Sequence, residues 1–279
     1  MALGIDFPRN GLEQLQTIFG LGLSKIPWDV IFVSFDLECG IPDFSAGHIS
    51  EIGISMLDMR HFSPENPPRS LETLHFVVGG NKRLVHCARR FHFGTSKHLD
   101  GSAASVNEAI IKLLHIPDER SSDCQRFRDI VLVGHGLRSD LYLLRQRGIM
   151  YANINTIVAK LDTTYIAREV LGVGGRLPSL LKILQCPYEN CHTAGNDANF
   201  ALRALLILSY YGLREYATSP AALRMLESFK NLALDPLPDI RKRNALIRAS
   251  KIHREDHTMY ALDQGDLSFS EGSNDSRAV

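Results

Sequence analysis

Asp29-Val30-Ile31-Phe32-Val33-Ser34-Phe35-Asp36-Leu37-Glu38 is the stretch that decides the fold. β-Branched and aromatic residues fill both parities from Val30 to Phe35, the pattern of a strand covered on both faces. Such a strand belongs in the middle of a sheet, with a layer on either side. Two carboxylates, Asp36 and Glu38, follow at its end, and a period of two puts both on one face. Held side by side they repel, so the pair is costly unless a cation neutralises it. Taken alone, an Asp-x-Glu is also how many strands end, here leading into Gly40-Ile41-Pro42.

Outward from that strand, Ile49 to Leu57 predicts a second strand, in which Gly53 marks a close backbone approach. Thr73 to Val78 predicts a third, bounded by the Pro64 to Pro68 stretch and a hairpin-like Gly79-Gly80-Asn81 turn. Val106, Ala109, Ile110, Leu113 and Leu114 make one apolar face of a helix over Ser105 to Leu114. Ile130 to Val133 is a fourth strand running into Gly134-His135-Gly136. A short helix follows from Ser139, read as its N-cap, to Gln146, with Gly148 at the C′ position. Thr156 to Leu161 is a fifth strand, followed by helical Tyr165 to Leu171 and Leu177 to Leu184 and a long helix over Asp197 to Tyr211. A three-strand meander followed by alternating strands and helices predicts an α/β fold with a central mixed five-stranded sheet flanked by helices. The expected plan is a lead-in over 1–27 packed on the domain, the α/β domain over 28–234, and a basic segment with a disordered tail over 235–279.

Composition narrows the function. The chain has 279 residues with 31 basic and 31 acidic side chains, so a nucleic-acid site must arise from local asymmetry. Cys39, Cys87, Cys124, Cys186 and Cys191 contain no C-x-x-C pair, which argues against zinc and fits a reducing compartment. No apolar run approaches the ~18 residues of a membrane span, and Asp6 interrupts the N-terminus before any leader-like core. An intracellular protein, cytoplasmic or nuclear, is expected.

Further acids sit where helices begin. Asp140 lies in the first turn after the fourth strand, and Asp197 heads the long helix; both suit a helix dipole. His192 lies five residues before Asp197, and alone it reads as a loop histidine. Together they give an order: Asp-x-Glu, His135-x4-Asp140, His192-x4-Asp197. In that order the chain resembles the ribonuclease H-like 3′–5′ exonucleases of the DEDDh type over about residues 29–212. The motifs are Phe35-Asp36-Leu37-Glu38, Val133-Gly134-His135-Gly136-Leu137-Arg138-Ser139-Asp140 and His192-Thr193-Ala194-Gly195-Asn196-Asp197-Ala198. Glu51-Ile52-Gly53 and Leu161-Asp162-Thr163 resemble the family's flanking pieces. More narrowly, the chain resembles a fungal branch related to a yeast factor associated with mRNA export.

The resemblance implies a ribonuclease H-like three-layer fold and metal-dependent 3′–5′ hydrolysis of single-stranded nucleic acid, with RNA weakly preferred over DNA. It implies two ions, Mg²⁺ or Mn²⁺, at Asp36, Glu38, Asp140 and Asp197, and His192 as general base. Oxygen ligands suit such hard cations, and a histidine titrates near neutrality. Cys39-Gly40 replaces a Thr or Ser usual in the family, and Gly136 replaces a frequent Asn. Cys39, Gly40, His135, Gly136 and Asp162 are therefore the substrate-side candidates, with Asp162 in a supporting role. Two basic stretches remain. One runs from Arg83 to His98 and interleaves cations with Phe91 and Phe93, as a strand-tracking surface would, or as a surface strand with core phenylalanines would. The other, 240–254, is a candidate partner segment or a solvated face. The competing reading is a non-catalytic RNA-binding or adaptor protein that retains the fold; loss of one of the five site residues would favour it, and none is lost.

Overall fold

The structure is a computed structural model that describes residues 11–19, 29–39, 48–121 and 126–242, without the side chains of 81–84 and 88. Gly40, Cys124 and everything beyond Lys242 lie outside the described residues, so the 240–254 segment is described only at its first positions. Described residues through Pro238 belong to one compact unit, and Asp239–Lys242 are what is described of a second.

The deciding stretch forms β1 (Val30–Cys39), inside a six-stranded sheet with β2 (Ile49–Asp58), β3 (Glu72–Val78), β4 (Lys97–Leu99), β5 (Asp129–Gly134) and β6 (Ile157–Asp162). The order is β4-β3-β2-β1-β5-β6. β1, β2 and β3 pair antiparallel, while β5 runs parallel to β1 and β6 parallel to β5. The five expected strands are present; β4 is an addition of three residues at the edge, parallel to β3. Its Lys97 and His98 are exposed, so it carries no alternating apolar signal.

Two cores explain the mixed parity of β1. Ile31, Val33, Phe35 and Leu37 join Ile52, Ile54, Ile130 and Leu132 under α3 (Ala103–Leu113) and α4 (Arg138–Gln146). Val30, Phe32, Val131, Val133 and Leu161 face the other layer. That layer comprises α1 (Gly11–Ile18), α5 (Thr163–Leu171), α6 (Leu177–Ile183), α7 (Ala194–Leu213) and α8 (Pro220–Leu234). α7 is apolar on nearly every side, as a helix walled in on all sides must be, and it is buried along most of its length. Asp36 and Glu38 continue the parity of Phe32, so they lie on the α7 side of the sheet.

Several local expectations change. Leu137, not Ser139, is the N-cap of α4, and no side chain of that segment caps it. The helix starts two residues earlier than expected: the Leu141 N–H, which a Ser139 cap would take, already bonds the Leu137 carbonyl at 3.0 Å, while Asp162 accepts the Gly136 and Leu137 N–H groups of the preceding turn at 3.0 and 2.9 Å. Gly148 does follow the helix, with φ at +76°. The Gly79-Gly80 turn opens a helix, α2 (Asn81–Arg90), rather than a hairpin. After α2, Phe91 is fully buried, His92 is 3% exposed, and Phe93 stacks edge-on against Phe200 of α7. Phe91 and His92 are core, and Phe93 is half-buried with its ring packed against the core, so the stretch does not present a row of exposed rings. α8 was not anticipated, although Ser219 accepts the Ala222 N–H and Pro220 occupies the first helical position, both standard start signals.

Candidate metal and catalytic centre

Asp36 pairs with Gly53 across β1–β2, and Gly53 pairs with His75 across β2–β3, so the three line up on one face. The middle position has no side chain. A Cβ on Gly53 would fall on the backbone of Ala194 and Gly195, so glycine lets the first turn of α7 descend onto the sheet beside Asp36. That turn carries Asp197. Asp140 enters from the first turn of α4, where its Oδ1 accepts the Leu37 N–H of β1 at 2.9 Å. Four carboxylates thus reach one end of β1 from β1 itself, α4 and α7.

Their mutual repulsion is only partly offset by nearby cations. Asp36 Oδ2 and Asp197 Oδ1 are sealed from solvent with no hydrogen-bond partner among the described residues. Burial, then the charges of Asp140, Asp197, Glu38 and Glu51, pushes Asp36 well above the usual carboxylate range. Burial, then Asp197 and Glu51, raises Glu38 to about 6. Burial raises Asp140 to about 7 against the Leu37 hydrogen bond. Burial likewise raises Asp197 to about 6, against the His192 N–H that it accepts at 2.8 Å. Four acids that resist ionisation, with two donor-less oxygens among them, fit a divalent cation, which would reverse every one of these penalties. Glu38, His192 and Asp197 offer ligand atoms that all lie within 4.8 Å of one another. Carboxylate oxygens dominate the set, which suits Mg²⁺ or Mn²⁺ better than a thiolate zinc site. Cys191 does not alter this: burial, then Asp197, pushes its thiol up to about 12.

His192 leans over the cluster. Its side chain is 84% exposed, with Nδ1 4.0 Å from Glu38 Oε1. Its φ is +62°, in the left-handed region that non-glycine residues avoid, and Asn190 shares that conformation at +55°. The turn is held from beneath. Buried Asn196 donates to the carbonyls of Arg90 and Asn190, both at 3.0 Å, and accepts the His92 N–H at 3.0 Å. Arg90 donates to the Cys191 carbonyl at 2.7 Å, and its charge pulls both Glu38 and Asp197 back down. Sequence reading placed Arg90 among the cations of the 83–98 stretch rather than at this site, and gave Asn196 no role of its own; Asn196 lies inside the third motif, but nothing in a sequence shows which loop its amide ties.

The remaining candidates have structural partners. Asp162 also accepts the Thr164 N–H at 2.9 Å as N-cap of α5, so its carboxylate braces the β5–α4 turn and starts α5 together. Gly136 has φ at +74° in that braced turn. His135 has both ring nitrogens engaged, with Thr163 Oγ1 at 2.9 Å and the Gly175 carbonyl at 2.8 Å, and burial lowers its pKa. Cys39 is half-buried at the end of β1, its thiol raised by burial and then by Glu38.

A DEDDh family model, described as DNA polymerase III subunit epsilon-like, C-terminal domain, matches residues 31–208. A Saccharomyces cerevisiae protein described as uncharacterized protein YDR514C is 24% identical over 230 residues, covering 73% of this chain and 47% of that protein. The chain therefore spans about half the length of that relative.

Proposed function

We propose that this chain, which belongs to the DEDDh family of DNA polymerase III subunit epsilon-like C-terminal domains, is a metal-dependent 3′–5′ exonuclease on single-stranded nucleic acid. The observation that carries the reading is the convergence of Asp36, Glu38, Asp140 and Asp197 with two buried oxygens left without donors. In this reading these four side chains hold two divalent cations, Mg²⁺ or Mn²⁺. When bound, such ions supply positive charge for the oxygens of a phosphodiester and lower the pKa of water. The protein's own part is orientation and proton transfer. Asp140 is fixed by the Leu37 N–H, and Asp197 by the His192 N–H, so both present a second oxygen to the site. His192 turns Nδ1 towards Glu38, which leaves Nε2 to take a proton from the attacking water. Attack by that water forms a new P–O bond and breaks the terminal P–O3′ bond, releasing a nucleoside 5′-monophosphate and a shortened strand whose 3′-oxygen takes up a proton from solvent.

RNA is the preferred substrate in this reading, by likeness to the fungal branch, and the family motifs alone do not separate the two sugars. Cys39 and Gly136 are the substrate-side positions. Purified protein incubated with single-stranded RNA and DNA in Mg²⁺, Mn²⁺ or EDTA tests the reading. Chromatography should show mononucleotides with either metal and none in EDTA; absence of mononucleotides in all three would reject it.

A further inference from the structure

Beside the carboxylate cluster, a chain of hydrogen bonds crosses β2 and β3, buried at Glu51 and His75. Glu51 pairs with Glu38 across β1–β2. Its Oε2 accepts from His75 Nε2 at 3.0 Å and from the Ala194 N–H at 3.3 Å, and its Oε1 accepts from the Cys87 thiol at 3.2 Å. On the far side of the imidazole, His75 Nδ1 meets the Ser96 hydroxyl at 2.8 Å. Either ring form donates Nε2–H to Glu51, and Nδ1 shares a proton with the Ser96 hydroxyl.

His75 is 1% exposed, and its ring rests against Phe91 at 5.0 Å between centroids. Gly195 has no room for a side chain: a Cβ there would lie 2.7 Å from both His75 Cβ and a Phe91 ring carbon. The backbone of α7 therefore sits on His75 on one side of Gly53, while Asp36 flanks the other. Burying an imidazole against a carboxylate returns little net stability. What the contact does provide is direction, because it fixes which oxygen of Glu51 faces Ala194. That N–H is two residues after His192 and three before Asp197.

We infer that His75 is a positioning residue for the hydrolytic site: it aims Glu51 at the Ala194 N–H and so fixes the turn that carries His192 and Asp197. The inference rests on the nuclease reading. His75 acts through Glu51 and α7, with Ser96 setting its ring.

The test compares His75→Phe, which keeps the ring packing without the donor, with His75→Gln, whose side-chain amide can still donate to Glu51. Rates on a single-stranded oligonucleotide in Mn²⁺, thermal melts with and without Mn²⁺, and hydrogen exchange at the Ala194 amide are read on the same preparations. His75→Phe should lower kcat about 10–100-fold, the usual range for partners standing behind a site, with KM unchanged and the Mn²⁺ shift in melting retained. His75→Gln should recover most of kcat, and Ala194 exchange should be faster in the Phe variant than in the Gln variant. Wild-type kcat in His75→Phe, an equal loss in both variants, or a loss carried by KM would overturn the inference. Should His75→Phe fail to fold, Ser96→Ala decides: reduced kcat at unchanged KM supports the positioning role, and wild-type kcat removes it. Wild-type protein without metal-dependent cleavage would defeat the nuclease reading instead, and the Ala194 exchange would still read the clamp, with equal exchange in His75→Phe and wild type overturning it.

Discussion

Gly53 and Ala194 meet backbone to backbone, at the sheet position directly opposite Asp36. A methyl group at 53 would collide with the Ala194 carbonyl, which is main chain and cannot swing aside. Gly53→Ala should therefore lift the start of α7 and separate Asp197 from Asp36. Overpacking of this kind costs about 1–3 kcal/mol, roughly 2–12 °C in a domain of this size. Melts should show that loss together with a diminished Mn²⁺ shift; a variant that melts like wild type with the full shift would contradict the close approach.

Asp36→Asn and Asp197→Asn remove charge and keep volume. Cleavage should drop to background in both. In EDTA both should melt at or above wild type, because burial and neighbouring charges already penalise the ionised forms. Near-wild-type cleavage by either variant, from a preparation free of contaminating nuclease, would remove that residue from the site.

The same penalties give a pH dependence. Glu38 and Asp197 are raised to about 6 and Asp140 to about 7, against about 4 for unfolded carboxylates. The folded state then binds these protons more tightly, so their contribution to stability is complete below about pH 4 and is lost as pH rises through 6–7. Metal-free protein should melt progressively lower between about pH 4 and pH 7, and Asp140→Asn should flatten that slope. Saturating Mn²⁺ should offset the fall, adding about 2.7 kcal/mol at a hundredfold excess over its dissociation constant. A metal-free melting temperature that climbs across this window would show that the cluster is not strained by its own charge.

His192→Ala should separate proton transfer from metal binding. A positioned base contributes about 10²–10⁴ in rate, so cleavage should fall in that range and recover in part at high pH. The Mn²⁺ shift should persist, because the four carboxylates remain. Loss of that shift would make His192 a ligand or a structural residue, and an unaltered pH–rate profile would move the proton-taking role elsewhere. His135 is poorly placed to take it over, with both nitrogens already bonded to Thr163 and Gly175.

Much of this site is legible in the sequence because strand parity and motif order are local. Asp36 and Glu38 share a face by period alone, and Gly53 announces a close approach. What brings the motifs together is not local. Asp162 caps α5 and clasps the turn before α4, and the helix then begins ahead of Ser139, whose cap position is taken by backbone bonding from Leu141 to Leu137. Asn196 ties α2 to the loop of His192 through backbone groups that any residues would supply. Phe91 and Phe93 look like a binding surface beside Arg89 and Arg90, yet the chain turns after α2, buries Phe91 fully and packs the half-buried Phe93 against Phe200. β4 is too short, and its exposed Lys97 and His98 too polar, for any periodicity to register.

The most direct test of the central claim is the fate of a 5′-labelled single-stranded RNA, with a DNA of the same sequence beside it, exposed to the purified protein and Mn²⁺. The account predicts a ladder that shortens progressively from the 3′ end, absent in EDTA and absent with Asp36→Asn. Oligonucleotides that are bound yet remain full length in both Mg²⁺ and Mn²⁺ would contradict it, and would leave a nucleic-acid-binding protein built on an exonuclease fold.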